Sequence, residues 1–399
     1  MNGELLRGIR FFTRETNILS ALSVGCGAGE HIERAMDGDC RENSIFDLAS
    51  ATKLFTGLCM MRLKEDGLLD FSRPVLVYDG RFTRLGEVTV EQLMGFAVTV
   101  KTPKRLDACG SREEALEALL ASEPGERPER RVYSDIPAMI LKYVIEATAG
   151  IPFFEYVRQA VLAPAGMAET WAKVPKERIG DCQDYRGEHR IEGGARILRT
   201  DWRPGVPHDP KAAVLQGETG DLCGHAGLFS TMDDMIRFCR AVLEGKIVSR
   251  ESLREMAVNR TGRRMPNGGF CQYLGYQCYV RHPEQYWSEI PVYMGERAFG
   301  IGGFTGNHVS VDPERDLFTV FLGNRVQDRL TVLVPEEGKT LEDYGLNPDG
   351  TGTIRWEDGM VVPSSVKYVH QKDRHLHSAV MKALGIPEVS CQWTEISGQ

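Results

Sequence analysis

The sequence predicts an α+β fold, and three observations carry that reading. Strand-like runs stand near the start of the chain, at residues 18–24 (Ile-Leu-Ser-Ala-Leu-Ser-Val) and 31–36. The last third is again strand-rich, with a glycine-rich entry at residues 299–306 and apolar runs at 308–311 and 317–322. Between them the apolar residues recur at helical spacing. At 399 residues, 42% of them apolar, the chain fills one large core or two packed subdomains.

Taken in order, residues 25–29 read as a turn, so a sheet begins ahead of the first long helix at 48–65. In that helix Leu54, Phe55, Leu58, Cys59, Met61 and Leu63 cover most of the circumference, which marks it as buried, and Gly67 follows as a stop. Its first turn carries Ser50-Ala51-Thr52-Lys53. Residues three apart share a helix face, so the Ser50 hydroxyl and the Lys53 amine can meet. A lysine drawn into a water-poor core can serve as base for a neighbouring hydroxyl, and a helix N-terminus favours the alkoxide that forms. The same four residues also suit a capping serine beside a surface lysine, and the spacing alone does not choose.

Residues 70–74 break the chain and 89–94 enter a short helix. Residues 101–131 turn charged, with a helical patch at 112–120 and a Pro/Gly loop at 123–128, and predict an all-helical insertion. Val132-Tyr133-Ser134-Asp135-Ile136-Pro137 then precedes a helix running to Ala149 and stopped by Gly150; Pro137 suits its first turn and Asp135 its N-cap. A tyrosine at that point can face a pocket and share a proton relay with Lys53, or be a packed aromatic. A helix at 153–162 ends before Pro164, and 166–210 reads as irregular. Ser230 and Asp233 resemble a capping box opening a helix whose apolar face is Met235, Ile236, Cys239, Val242 and Leu243. His208 and His225 sit in irregular chain with no third ligand at motif spacing, so no metal is assigned; a structural role fits both, and pocket lining fits His225.

The closing strands form an antiparallel hairpin about a turn at 312–316, and the glycines at its entry allow the close backbone approach that an oxyanion-binding N–H needs. Residues 336–359 read as loop or lid, and 374–384 as a last helix ended by Gly385. A formal charge of −8 without a dense basic tract argues against nucleic acid as a partner. The first fifteen residues lack the apolar core of a secretory signal, and no run approaches the length of a membrane span. The ten cysteines are scattered without a CxxC pair, as expected of free thiols in a reducing cytoplasm.

With these segments in order, the chain resembles the serine β-lactamase and penicillin-binding-protein superfamily, in its branch of class C β-lactamase-like esterases and peptidases. Phe46-Asp47-Leu48-Ala49-Ser50-Ala51-Thr52-Lys53 is similar to the nucleophile helix, and Val132-Tyr133-Ser134-Asp135 to the tyrosine motif. His208-Asp209-Pro210 and Gly224-His225-Ala226-Gly227-Leu228-Phe229-Ser230-Thr231 resemble segments of one subgroup, and Phe304-Thr305-Gly306 through Asn324-Arg325 its closing hairpin. The resemblance implies an α/β/α sandwich in a single domain: an antiparallel sheet subdomain from about 1–75 and 270–399, and a mostly helical subdomain from about 76–269. It further implies acyl transfer through a serine ester, with Ser50 as nucleophile, Lys53 and Tyr133 handling its proton, and the oxyanion held by the backbone N–H groups of Ser50 and Phe304. No cofactor or metal is implied, and the partner is a small ester or amide; oligomeric state is left open.

Two departures shape the expectation. Ile301-Gly302-Gly303 stands where the family carries Lys-Thr-Gly or His-Thr-Gly, so the side chains that help bind a substrate carboxylate are missing and β-lactamase activity is expected to be weak or absent. Asp135 stands at the usual asparagine, adding an anion near Lys53. The expected substrate-binding set is therefore Ile301, Gly302, Gly303, Phe304, Asp135 and His225, in an esterase-like serine hydrolase. The alternative is a catalytically impaired member that binds a ligand or partner in the same cleft. The segment 331–363 is longer than the family pattern leads one to expect.

Overall fold

The computed structural model describes residues 2–387 and 389, apart from 127, 129–131, 218, 267, 283–289 and 357. Helix α1 (Gly3–Arg10) leads into strands β1 (Ala21–Ala28) and β2 (His31–Gly38), then α2 (Thr52–Glu65) and α3 (Ile136–Ala149). A hairpin of β3 (Glu188–Glu192) and β4 (Ala195–Arg199) precedes α4 (Met232–Leu243). The chain closes with β5 (Tyr279–Val280), β6 (Phe299–Gly303), β7 (Asn307–Asp312), β8 (Leu317–Asn324), β9 (Leu330–Val334) and α5 (Tyr368–Leu384).

Both chain ends build one six-stranded antiparallel sheet, in the order β2-β1-β8-β7-β6-β5, with Ala21 opposite Asn324 and Ala28 opposite Leu317. Side chains alternate across it with the two-residue period of a strand. Leu22, Val24 and Cys26 of β1 and Leu317 and Phe321 of β8 pack with Leu5 and Ile9 of α1 and Leu376 and Val380 of α5. Phe318, Val320 and Leu322 instead join a core made with α2, α3 and α4. The expected helix–sheet–helix sandwich is thus present. Among the described residues no single helix is long and apolar enough to cross a membrane, and the most apolar one, α3, is buried along Pro137 to Ile145.

Several local readings are corrected. The glycines at 25 and 27 stay inside β1, and the turn is confined to Gly29 and Glu30. A Cβ at Gly25 would lie 2.8 Å from Met232 Sδ and one at Gly27 2.3 Å from the Phe318 ring, so these glycines serve close packing. The charged insertion is not all helical, because Thr99–Lys101 pairs with Glu123–Gly125 in a hairpin; Arg127 and residues 129–131 lie outside the described residues. The stretch read as irregular contains the β3–β4 hairpin, turned through Gly193 and Gly194 with φ of 57° and 76°. Residues 336–359 are not a bare lid: Thr353–Arg355 pairs with Val361–Pro363, and Leu346 and Ile354 join Ile191, Leu330 and Val362 in a core of their own, next to β9, which pairs in parallel with β3. Thr231, not Ser230, caps α4 by accepting from Asp234 N, while Ser230 Oγ bonds Thr170 Oγ1. Helix α5 starts at Tyr368, a turn and a half ahead of the expected start.

Candidate functional site

Phe46–Asp47 pairs with Phe229–Ser230 and delivers the chain into a tight turn, Ala49–Ala51, that opens α2. Ala49 has φ of 46°, a left-handed conformation that costs a non-glycine residue about 1–3 kcal/mol. Asp47 holds it there. Its Oδ1 accepts from Ala49 N at 2.8 Å and its Oδ2 from His208 N at 2.7 Å. Its carbonyl accepts from Thr305 Oγ1 at 2.8 Å and Asn307 Nδ2 at 2.6 Å. Burial pushes the Asp47 carboxyl above its ordinary value, against the pull of those two N–H donors.

This turn leaves Ser50 partly exposed while Lys53, one helical turn on, is completely buried. Lys53 Nζ donates to Ser50 Oγ at 3.0 Å, to Asp135 Oδ1 at 2.7 Å and to the His225 carbonyl at 3.1 Å. All three donors of the ammonium are satisfied. The Tyr133 ring lies 4.9 Å from Nζ and is stacked between Phe96, at 5.5 Å, and Tyr279, at 5.6 Å. Its backbone N–H donates to Gln272 Oε1 at 2.9 Å. Ser50, Lys53, Tyr133 and Asp135 therefore meet, although they come from two helix starts more than eighty residues apart.

Asp135 holds the N-cap position of α3, but its side chain makes no capping hydrogen bond; the carboxylate is drawn instead to two lysines. Lys211 Nζ lies 3.2 Å from its Oδ2 and 3.0 Å from Asp209 Oδ2, and Asp209 Oδ1 lies 3.0 Å from His225 Nε2. The result is an alternating row, Lys53, Asp135, Lys211, Asp209, His225. Burial pushes the Asp135 carboxyl up, but the charges of Lys53, His225 and Lys211 outweigh it and hold the group well below the usual carboxylate range. Asp209 is held low in the same way by His225 and Lys211, and Lys211 is raised by the two carboxylates against its own burial. The ligand atoms of Asp135, Asp209 and His225 lie within 4.8 Å of one another, close enough for a cation. Lys53 and Lys211 already supply the positive charge there, and this donor set fits an ion-pair network better than a metal centre.

The expected binding residues divide. Gly303 and Gly302 are partly exposed on β6. A Cβ on Gly303 would lie 2.6 Å from the Leu48 carbonyl and 3.4 Å from Ala49 Cβ, so glycine is what lets β6 run against the Ser50 turn. The next residue, Phe304, makes no hydrogen bond through its N–H to the described residues. Ile301 does not face the cleft: it is fully buried in the core shared with α2 and α3. His225 is also fully buried: its ring turns to Asp209 and closes the charged row, and its carbonyl accepts from Lys53, so it does not line the open cleft. Sequence reasoning missed Asp47, Lys211 and the site role of Asp209. Asp209 was detectable, because it caps the helix Pro210–Gln216 through Ala212 N, ahead of a proline at the first helical turn.

The sequence profile of the family described as Beta-lactamase matches residues 22–334. The chain belongs to that family. It is 27% identical over 312 residues to a protein of Salmonella heidelberg (strain SL476) named "Putative D-alanyl-D-alanine carboxypeptidase", covering 71% of this chain and 70% of that one. Among solved structures, EstCE1, described as a hydrolase with promiscuous acyltransferase activity, superposes with a TM-score of 0.63 at 16% identity, over 94% of this chain and 98% of that one. A class C beta lactamase from Rhodobacter sphaeroides gives 0.60 at 18% identity, over 81% and 94%. Both show the beta-lactamase fold. The family is made up of serine hydrolases acting on small ester or amide substrates.

Proposed function

We propose that this member of the beta-lactamase family hydrolyses a small ester or amide through an acyl-Ser50 intermediate, with esterase-like activity and little or none on β-lactams. The observation that carries the reading is the 3.0 Å contact from a sealed Lys53 amine to the reachable Ser50 hydroxyl. Ser50 Oγ attacks the substrate carbonyl carbon as its proton passes to the lone pair of Lys53 in its neutral amine form, and the Tyr133 phenol hands its own proton to the leaving group while regaining one from Lys53. The carbonyl oxygen takes up the negative charge between the N–H groups of Ser50 and Phe304. Collapse of the tetrahedral species breaks the bond to the leaving group, which takes the relayed proton, and water then releases the acid from Ser50 by the same steps. Asp135 and the His225 carbonyl orient the lysine, and Asp47 holds the turn. The family, a carboxypeptidase-named relative and a hydrolase of the same fold all support acyl transfer. The nine described cysteines are free, in keeping with a reducing compartment such as the cytoplasm.

A second reading, a binding protein without turnover, is favoured by the saturation of Lys53: with three N–H groups donated it has no lone pair, and it must first give up a proton before it can take the serine's. Intact mass after treatment with a fluorophosphonate separates the two. A single adduct on the wild type that is absent from Ser50→Ala is the expected result. A folded wild type that never reacts would replace the hydrolase with the binding protein.

A further inference from the structure

Beside Phe304, whose own N–H is proposed to meet the oxyanion, arginines gather from different parts of the chain. The Phe304 side chain keeps 36% of its exposure and stacks on His208 at 5.7 Å. The guanidinium carbon of Arg190, on β3, lies 5.5 Å from its ring centre, and that of Arg325, just after β8, 5.0 Å. Their shared counter-charge is Glu188, which is fully buried and fully used. Its Oε1 accepts from Arg190 Nε at 2.8 Å and Thr331 Oγ1 at 2.6 Å, and its Oε2 lies 3.1 Å from both Arg199 and His208 Nε2.

Two guanidinium groups are thereby left with spare donors. Arg190 uses only Nε, and its terminal nitrogens bond to none of the described residues on a side chain 27% exposed. Arg325, 8% exposed, donates one terminal nitrogen to the Thr331 carbonyl at 2.6 Å, and its buried Nε has no partner. Burial, with Arg190 adding to it, pushes Arg325 down to about 10. In a chain of net charge −8 this is a local excess of positive charge, and unpaired buried guanidinium donors are costly unless an anion meets them.

We propose that Arg190 and Arg325 form an anion subsite around Phe304 that receives a carboxylate carried by the substrate, on the same small molecule as the scissile carbonyl. The inference rests on the reading of Ser50 as nucleophile and deepens it. The charge that Ile301 does not offer on β6 is supplied from β3 and from the end of β8. Arg190, planar and free at both terminal nitrogens, suits a two-pronged grip on a carboxylate, and the Phe304 ring fixes the spacing between the two cations.

The test compares p-nitrophenyl butyrate with mono-p-nitrophenyl succinate as substrates of the full chain. The succinate ester is expected to have kcat/KM about tenfold higher or more, chiefly through KM, with the advantage shrinking as salt is raised. In Arg190→Met the ratio of the two esters should fall toward one, and Arg190→Lys should recover part of it. Equal kcat/KM for the two esters in the wild type would overturn the subsite while leaving the hydrolase standing. If neither ester is turned over, the nucleophile reading fails and a binding measurement decides the subsite. Glutarate and, separately, inorganic phosphate are titrated against Ser50→Ala with and without Arg190→Met. A Tm rise with glutarate that the second substitution abolishes supports the carboxylate subsite. No rise with glutarate, or a larger one with phosphate, overturns it.

Discussion

At position 303 the site depends on a missing side chain. Because the first atom to meet a Cβ there would be the Leu48 carbonyl, at 2.6 Å, neither partner can swing aside as a flexible side chain could. Gly303→Ala is expected to push β6 off the Ser50 turn, lowering stability by about 1–3 kcal/mol, the usual cost of overpacking, and kcat by tenfold or more. Thermal melts and ester turnover check both, and an unaltered kcat would show that the strand's approach is not needed. Residues at this scale were legible when their partner was local. Ser50 and Lys53 share a helix face three residues apart, and the structure brings them together. For Asp135 the contact with Lys53 was legible from its motif, whereas its side chain was also expected to cap the helix and instead meets Lys53 and Lys211, the second of which is distant in sequence and was not foreseen. Ile301 was placed in the cleft from its motif position, although its apolar side chain is better served by the core.

Among the elements, the β6–β7 hairpin does two jobs: it carries the Phe304 amide and it clamps the Ser50 turn. Asn307 donates to the Asp47 carbonyl at 2.6 Å and to Thr305 Oγ1 at 2.9 Å, and accepts from Gly323 N at 3.1 Å, all while buried. Asn307→Ala strands these groups at roughly 1–3 kcal/mol each for those left unpaired. Tm should drop, and the rate of fluorophosphonate labelling at Ser50 should drop beyond what the lost folded fraction explains. Labelling at the wild-type rate in a destabilised protein would confine Asn307 to stability. The hairpin readable in the sequence was the neighbouring β7–β8, whose strands are joined by the short turn at 312–316, while 299–306 was read only as its glycine-rich entry. The β3–β9 pairing was not readable, since the two strands are some 140 residues apart and each is short. The Gly193-Gly194 turn was a usable signal for β3–β4 that the surrounding glycines obscured.

Across the molecule, acid should act in two stages. His282 and His370 are pushed down to about 4, in each case mainly by burial, so they stay neutral in the folded protein while the unfolded chain protonates them near 6.5. Their contribution is fully present above pH 6.5 and is lost as pH falls toward 4, on the order of 1–3 kcal/mol for each. Asp135 and Asp209, held low, favour the folded state above their unfolded value near 4 and lose that contribution only below it. Tm is expected to decline between pH 6.5 and 4.5, more gently in His282→Gln/His370→Gln than in the wild type; identical slopes would remove the histidines from the account. The fold class and the sandwich were legible at this scale, because apolar periodicity and the placement of strands at both ends survive any error in element boundaries.

That arrangement has a consequence for how the protein is made. β1 lies between β2 and β8, and the residues that face it, Leu317 to Asn324, leave the ribosome almost three hundred residues later. Until then a nascent chain carries an open strand edge and a Ser50 turn that lacks both its hairpin clamp and the Phe304 amide. On the proposed mechanism the Ser50 site is completed only when the sheet is, so a truncated or stalled product is expected to be inert toward esters and prone to aggregate along that edge.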